Sequence, residues 1–266
     1  MAGYGPTYPA SQLDWFGKVF RDRYKPVRIR RQQDIYYPPD PTDEQALALF
    51  ATLEQTFPSN TLGTDKWYIL TPSFAPLLYT SLLTRPEYSS PEQRQALMRR
   101  IRETLMKLVP IVGVCKPLDA IFEIAAVTAP QDRDYSFSRE GWQCDDANRQ
   151  RGMAWLSRLY QHNLDTIDDV LASQKDFEWL SKNITYGLYL SDHSILNDVE
   201  TELAVLGGIM IQNLPRETAW HLRGTRRIGV SAGDVETVQQ CIELVAEFRG
   251  LRLHKVPRVA DIEHEV

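Results

Sequence analysis

Residues 199–229, VETELAVLGGIMIQNLPRETAWHLRGTRRIG, decide the fold. Asn197 followed by Glu200 gives a capping-box signature, and the apolar run Leu203 to Ile211 comes directly after it, so a helix starts here. A second helix opens near Pro215, because a first-turn proline loses an N–H that has no partner there anyway. Gly229 supplies a left-handed stop. The two successive helices carry Glu202 and His221 across a proline-marked break. A carboxylate and an imidazole so placed form a candidate acid/base pair.

The helical pattern extends outward from this stretch. Residues 92–109 repeat Leu97, Ile101, Leu105 and Leu108 at helical spacing, with Pro110 expected to close the helix. Residues 149–161 place Met153, Leu156 and Tyr160 on one stripe, and Ser231 with Asp234 caps a last amphipathic helix to about Gly250. Alternating β-branched runs are nearly absent, so the chain is predicted to be all-α with about nine helices. The prolines and tyrosines of residues 1–42 predict an extended arm, since clustered prolines deny continuous helix or central strand. The charged tail, residues 251–266, is expected to be loose beyond Pro257.

At 266 residues and 43% apolar composition the chain can bury a substantial core. A net charge of −5 supplies no positive field for a polyanion, which argues against nucleic acid as a partner. No run approaches the roughly 18 apolar residues of a membrane span, and the N-terminus lacks the charged-then-apolar order of a secretion signal. Cys115, Cys144 and Cys241 are odd in number and contain no C-x-x-C, which predicts neither a disulfide framework nor a structural metal. The expected compartment is cytoplasmic, with no metal and no organic cofactor.

The 199–229 pattern repeats at an offset of 99 residues. Glu202, Leu214 and His221 fall on Glu103, Cys115 and Phe122, and each window reads as acidic residue, apolar helix, break with proline (Pro117, Pro215) and second apolar helix. Two copies of one helical unit, about 82–128 and 181–229, are predicted to bury their apolar faces against each other.

The spacing Glu202, Leu214, Glu217, His221 resembles the motif Glu-x11-Cys-x2-Cys-x3-His of the carboxymuconolactone decarboxylase and alkyl hydroperoxidase D family. The chain looks closest to two-repeat fungal members of that family. Here the acid and histidine are kept and both thiols are lost. In the first copy Glu103 matches the acid and Cys115 the first thiol, while Leu118 and Phe122 stand for the rest. The resemblance implies an alkyl hydroperoxidase D-like helical bundle over residues 43–250, a homo-oligomer (dimer, trimer or hexamer), and proton-transfer chemistry centred on His221, Glu202 and Glu217.

Each candidate carries a bland alternative. His221 is either a general base or a buried structural histidine, and Glu202 either its partner or a solvated helix-face glutamate, the reading favoured for Glu103 among Arg99, Arg100 and Arg102. Glu217 takes the position of the second thiol, as an acid or as a charge favourable to the helix N-terminus. Arg216 and Arg223 either clamp a substrate carboxylate through a planar fork or are surface arginines. Trp220, His193 and Cys115 complete the expected substrate-binding set, although a free cysteine such as Cys115 is more often a small core hydrophobe. The expected activity is decarboxylation, isomerisation or elimination on a small carbonyl or carboxylate compound, in catabolic or secondary metabolism. Its rivals are a thiol-dependent peroxidase, which lacks its resolving thiol, and a non-catalytic oligomeric accessory protein.

Overall fold

The computed structural model describes residues 41–64 and 66–266. The arm expected over residues 1–42 therefore lies outside the described residues, except for its last two. Among the described residues there are twelve α-helices and no strand, so the chain is all-α.

The helices run α1 (Asp43–Thr56), α2 (Ser59–Leu62), α3 (Ala75–Leu82), α4 (Pro91–Val112), α5 (Cys115–Val127), α6 (Asp146–Tyr160), α7 (Asn163–Leu171), α8 (Lys175–Trp179), α9 (Asp198–Met210), α10 (Pro215–Arg227), α11 (Ala232–Phe248) and α12 (Val259–Ile262). The predicted caps hold. Asn197 and Glu200 form the capping box of α9, Pro215 opens α10, Gly229 takes φ +105 just beyond it, and Ser231 accepts from the Asp234 N–H at the start of α11.

Two expectations are corrected. Pro110 does not end its helix: a proline in the last turn forfeits one backbone hydrogen bond, and α4 continues to Val112, where Gly113 at φ +87 stops it. The segment after Pro257 is not loose either, because Val259 and Ile262 are buried, while Glu263 pairs with Arg226 at 2.6 Å and Glu265 with Arg223 at 2.5 Å.

The helices bury two apolar clusters. The larger is built on α1, α3, α4, α9 and α11, with residues such as Leu53, Trp67, Tyr79, Leu97, Leu203 and Val238. The smaller gathers Trp155, Leu156, Leu159 and Tyr160 of α6 against Val205 and Ile209 of α9. It is completed by a π-helical stretch, Leu180–Leu190, in which the Ser191 N–H reaches back five residues to the Tyr186 carbonyl at 2.9 Å. Glycine sets the distance between this stretch and α6. A Cβ at Gly152 would stand 2.5 Å from the Lys182 carbonyl oxygen, and one at Gly187 would stand 2.5 Å from the Asn148 side chain. α9 belongs to both clusters, and Glu202 lies on it.

Candidate functional site

The α9–α10 pair closes around Glu202. A Cβ on Gly224 would meet Leu159 at 3.1 Å and Glu202 Oε1 at 3.4 Å, so glycine there lets α10 approach the acid. His221, one turn before Gly224, donates its Nδ1–H to Glu202 Oε1. Glu202 is 0% exposed and His221 5%. The solvated helix-face alternative for Glu202 is thereby excluded.

The contact extends further. His221 Nε2 lies 3.2 Å from the Tyr160 hydroxyl, which lies 2.8 Å from the Tyr186 hydroxyl. A neutral imidazole has one donor and one acceptor. In the neutral ring with Nδ1 donating to Glu202, Nε2 is the acceptor, and the run then reads Tyr186 donating to Tyr160 and Tyr160 donating to Nε2. The run is satisfied in one direction and can invert as a unit when a proton is supplied to Glu202. Burial raises both phenols above the usual tyrosine range, and the Glu202 charge adds to the effect, so both remain donors at neutral pH. Glu202 Oε2 has no hydrogen-bond partner among the described residues.

The other expected site residues scatter around this run. Trp220 packs edge-on against Tyr160 with ring centroids 6.0 Å apart, and Arg216 lies 6.0 Å over the Trp220 ring while 73% of its side chain is exposed. Glu217 is partly exposed, 3.7 Å from Arg216. Arg223 is buried and engaged by Glu265. His193 packs edge-on to Trp155 at 4.6 Å, and burial lowers its pKa, with Lys107 adding to the effect. Cys115 is exposed at the start of α5, in the other helix pair.

In that other pair the expectation for Glu103 is overturned. It is 2% exposed and accepts both guanidinium nitrogens of Arg139 at 2.6 and 2.7 Å, with Lys107 Nζ at 3.3 Å. The arginines near it in sequence point elsewhere: Arg99 and Arg102 to Asp134, and Arg100 to Glu200. Lys107 is fully buried and donates to the carbonyls of Tyr189 and Asp192 at 2.8 and 2.5 Å. Desolvation lowers its pKa to about 8. Phe122, at the position of His221, is 63% exposed.

Sequence reasoning missed Tyr160 and Tyr186 as site residues. Tyr160 was legible only as part of an apolar stripe, and nothing near Tyr186 marked it. A cleft of about 700 Å³ opens on a different side of α9, where Ala204, Gly207, Gly208 and Ile211 face Leu108 and Val245; neither Glu202 nor His221 lines it. Among the described residues, no group of three or more His, Cys, Asp or Glu side chains is arranged to hold a metal ion. No helix among them is long and apolar enough to cross a membrane.

No family model matches the chain, and no solved structure matches it. The chain is similar to a fission-yeast (Schizosaccharomyces pombe) protein called Peroxisomal protein 2, at 23% identity over 154 residues that cover 58% of this chain and 71% of that protein.

Proposed function

We propose that this chain is a carboxymuconolactone decarboxylase-like protein that has lost the family's thiols and moves protons on a small carbonyl or carboxylate compound without an organic cofactor. The observation carrying this reading is the buried contact between Glu202 and His221 at the family spacing, prolonged by two phenols. His221 acts as the base and Glu202 holds its Nδ1–H. Tyr160, which covers Nε2, passes the proton to and from the substrate. Abstraction at a carbon next to a carbonyl leaves an enolate, and return of the proton at another atom gives isomerisation. Loss of CO₂ from a β-keto acid leaves the same enolate, protonated in turn by Tyr160. Arg216, exposed and engaged only loosely by Glu217 and the Trp220 ring among the described residues, is the carboxylate-binding group; Arg223 is not, being held by Glu265.

The test is a panel of small keto acids, β-keto acids and lactones in deuterated buffer, followed by proton NMR. Wild type should exchange or decarboxylate at least one member, and His221→Ala should lower that rate by about 10²- to 10⁴-fold. Turnover that survives His221→Ala overturns the reading.

A second reading, a non-catalytic oligomeric protein, gains from the filling of the dyad's surroundings by Tyr160 and Tyr186 and from the separate location of the large cleft. Silence across the whole panel would favour it. The peroxidase reading is weaker, since the exposed Cys115 belongs to no C-x-x-C and so has no resolving thiol near it in sequence. Similarity to a protein named for the peroxisome favours that organelle over the cytoplasm expected from sequence. Co-localisation of a fluorescent fusion with a peroxisomal marker checks this.

A further inference from the structure

We propose that α5 is the contact helix of a homodimer, pairing antiparallel with α5 of a second copy about a twofold axis. The inference is independent of the proton-transfer reading. Val114, Leu118 and Phe122 follow one another at four-residue steps, and all three are exposed, as are Cys115, Ala125 and Ala126 beside them. These side chains form one apolar arc covering the length of the helix. Pro117 and Ile124, on the opposite side, carry the packing into the bundle. In the second helical unit the corresponding face of α10 is covered from within the chain, where Tyr160 of α6 closes over His221. The equivalent of His221 is Phe122, and it faces solvent.

Charge identifies the occupant. Lys116, Asp119 and Glu123 border the arc along one flank, and none of the three has an ion-pair partner among the described residues. Lys116 and Glu123 are seven residues apart, close to two helical turns, so they share that flank. A twofold axis that runs two helices antiparallel brings each flank against itself. With the axis between Asp119 and Ala120, Lys116 of each copy lies opposite Glu123 of the other, and Leu118 lies within one residue of the level of Phe122. A parallel pairing would instead set this charged flank of one copy against the opposite, apolar flank of the other, where Val114, Ile121 and Ala125 lie, and would leave its charges without partners. The antiparallel arrangement is isologous and closes at two copies. It also brings the two Asp119 side chains together near the axis, between the two lysines, so this residue opposes the dimer it borders.

Multi-angle light scattering on the full chain tests the proposal. Wild type should be a dimer, and Phe122→Glu should raise its dissociation constant by about a hundredfold or more, because the side chain lies at the centre of the contact. Lys116→Glu and Glu123→Lys should each weaken the dimer, while the double exchange Lys116→Glu/Glu123→Lys restores it. Asp119→Asn should tighten it. Ala126→Cys should form an intermolecular disulfide with Cys115 under oxidised glutathione, and Cys115→Ser should remove that crosslink. All the substituted side chains are exposed, so far-ultraviolet circular dichroism should show unchanged helix content. A wild-type monomer overturns the proposal, as does a dimer indifferent to Phe122→Glu. Failure of the double exchange to restore what each single reversal removes overturns the antiparallel pairing.

Discussion

The helix pairs α4–α5 and α9–α10 each bury an acid and close it in opposite ways. Glu103 is locked by the fixed charge of Arg139, with Lys107 Nζ 3.3 Å away. Glu202 is met by an imidazole and, through it, two phenols. An arginine does not give up its proton at any ordinary pH, so the first arrangement can only hold structure. The second contains groups that can exchange a proton with one another at little geometric cost. The acid on α4 is thus held by a guanidinium, and the acid on α9 by a neighbour that can itself exchange a proton.

If the first arrangement is a brace, it should dominate stability. Arg139→Ala leaves Glu103 buried without its bidentate partner, and should cost about 3–5 kcal/mol in chemical denaturation. A cost below about 1 kcal/mol would break the comparison, because a buried carboxylate cannot lose its main counter-charge that cheaply.

The same unit predicts a pH signature. Lys107 has a folded pKa of about 8 against an ordinary 10.5, so between these values the folded protein has shed a proton that the unfolded chain still binds. The burial cost is fully present below about pH 8 and is relieved as pH rises toward 10.5. Wild-type stability should therefore rise with pH across that window relative to Lys107→Met, as followed by thermal unfolding. The neutral amine keeps two N–H donors, which match the carbonyls of Tyr189 and Asp192. A flat difference across the window would place the lysine's proton elsewhere.

Under the proposed function, the α9–α10 site should yield smaller stability effects and larger functional ones. Glu202→Gln keeps the shape and removes the charge; its amide oxygen can still accept from His221, so it should cost about 1–3 kcal/mol by burying an NH2 where Oε2 has no partner. Tyr186→Phe deletes only the terminal hydroxyl of the run and should cost about 0.5–1.5 kcal/mol. An effect of Tyr186→Phe larger than that of Glu202→Gln would mean that the phenols, and not the acid, organise the site.

The Glu202–His221 contact was legible because its determinants are local: a capping box, a proline at the first turn of α10 and a fixed spacing on adjacent helices. The rest depends on contacts between residues far apart in sequence. Tyr160 reaches His221 across 61 residues, and on its own helix it is only one member of an apolar stripe. Tyr186 is brought to Tyr160 by π-helical winding, which leaves no periodic signal of its own, and by close approach at Gly152 and Gly187. Glu103 was misread because its charged neighbours in sequence turn to other acids, while its true partner, Arg139, comes from a loop 36 residues away. The tail was misread for a similar reason. Its acids look like a solvated run until α10 presents Arg223 and Arg226 to them.

Glu202, His221, Tyr160 and Tyr186 form one hydrogen-bonded run, and its direction follows from which ring nitrogen of His221 carries the proton. Nitrogen-15 NMR of the His221 ring tests it most directly, because the two ring nitrogens report which one carries the proton. The account predicts a protonated Nδ1 whose proton resonates far downfield and exchanges slowly with water, and an Nε2 that accepts from Tyr160 and shifts on Tyr160→Phe. A neutral ring protonated at Nε2, or an Nδ1 proton in rapid exchange with solvent, would contradict it.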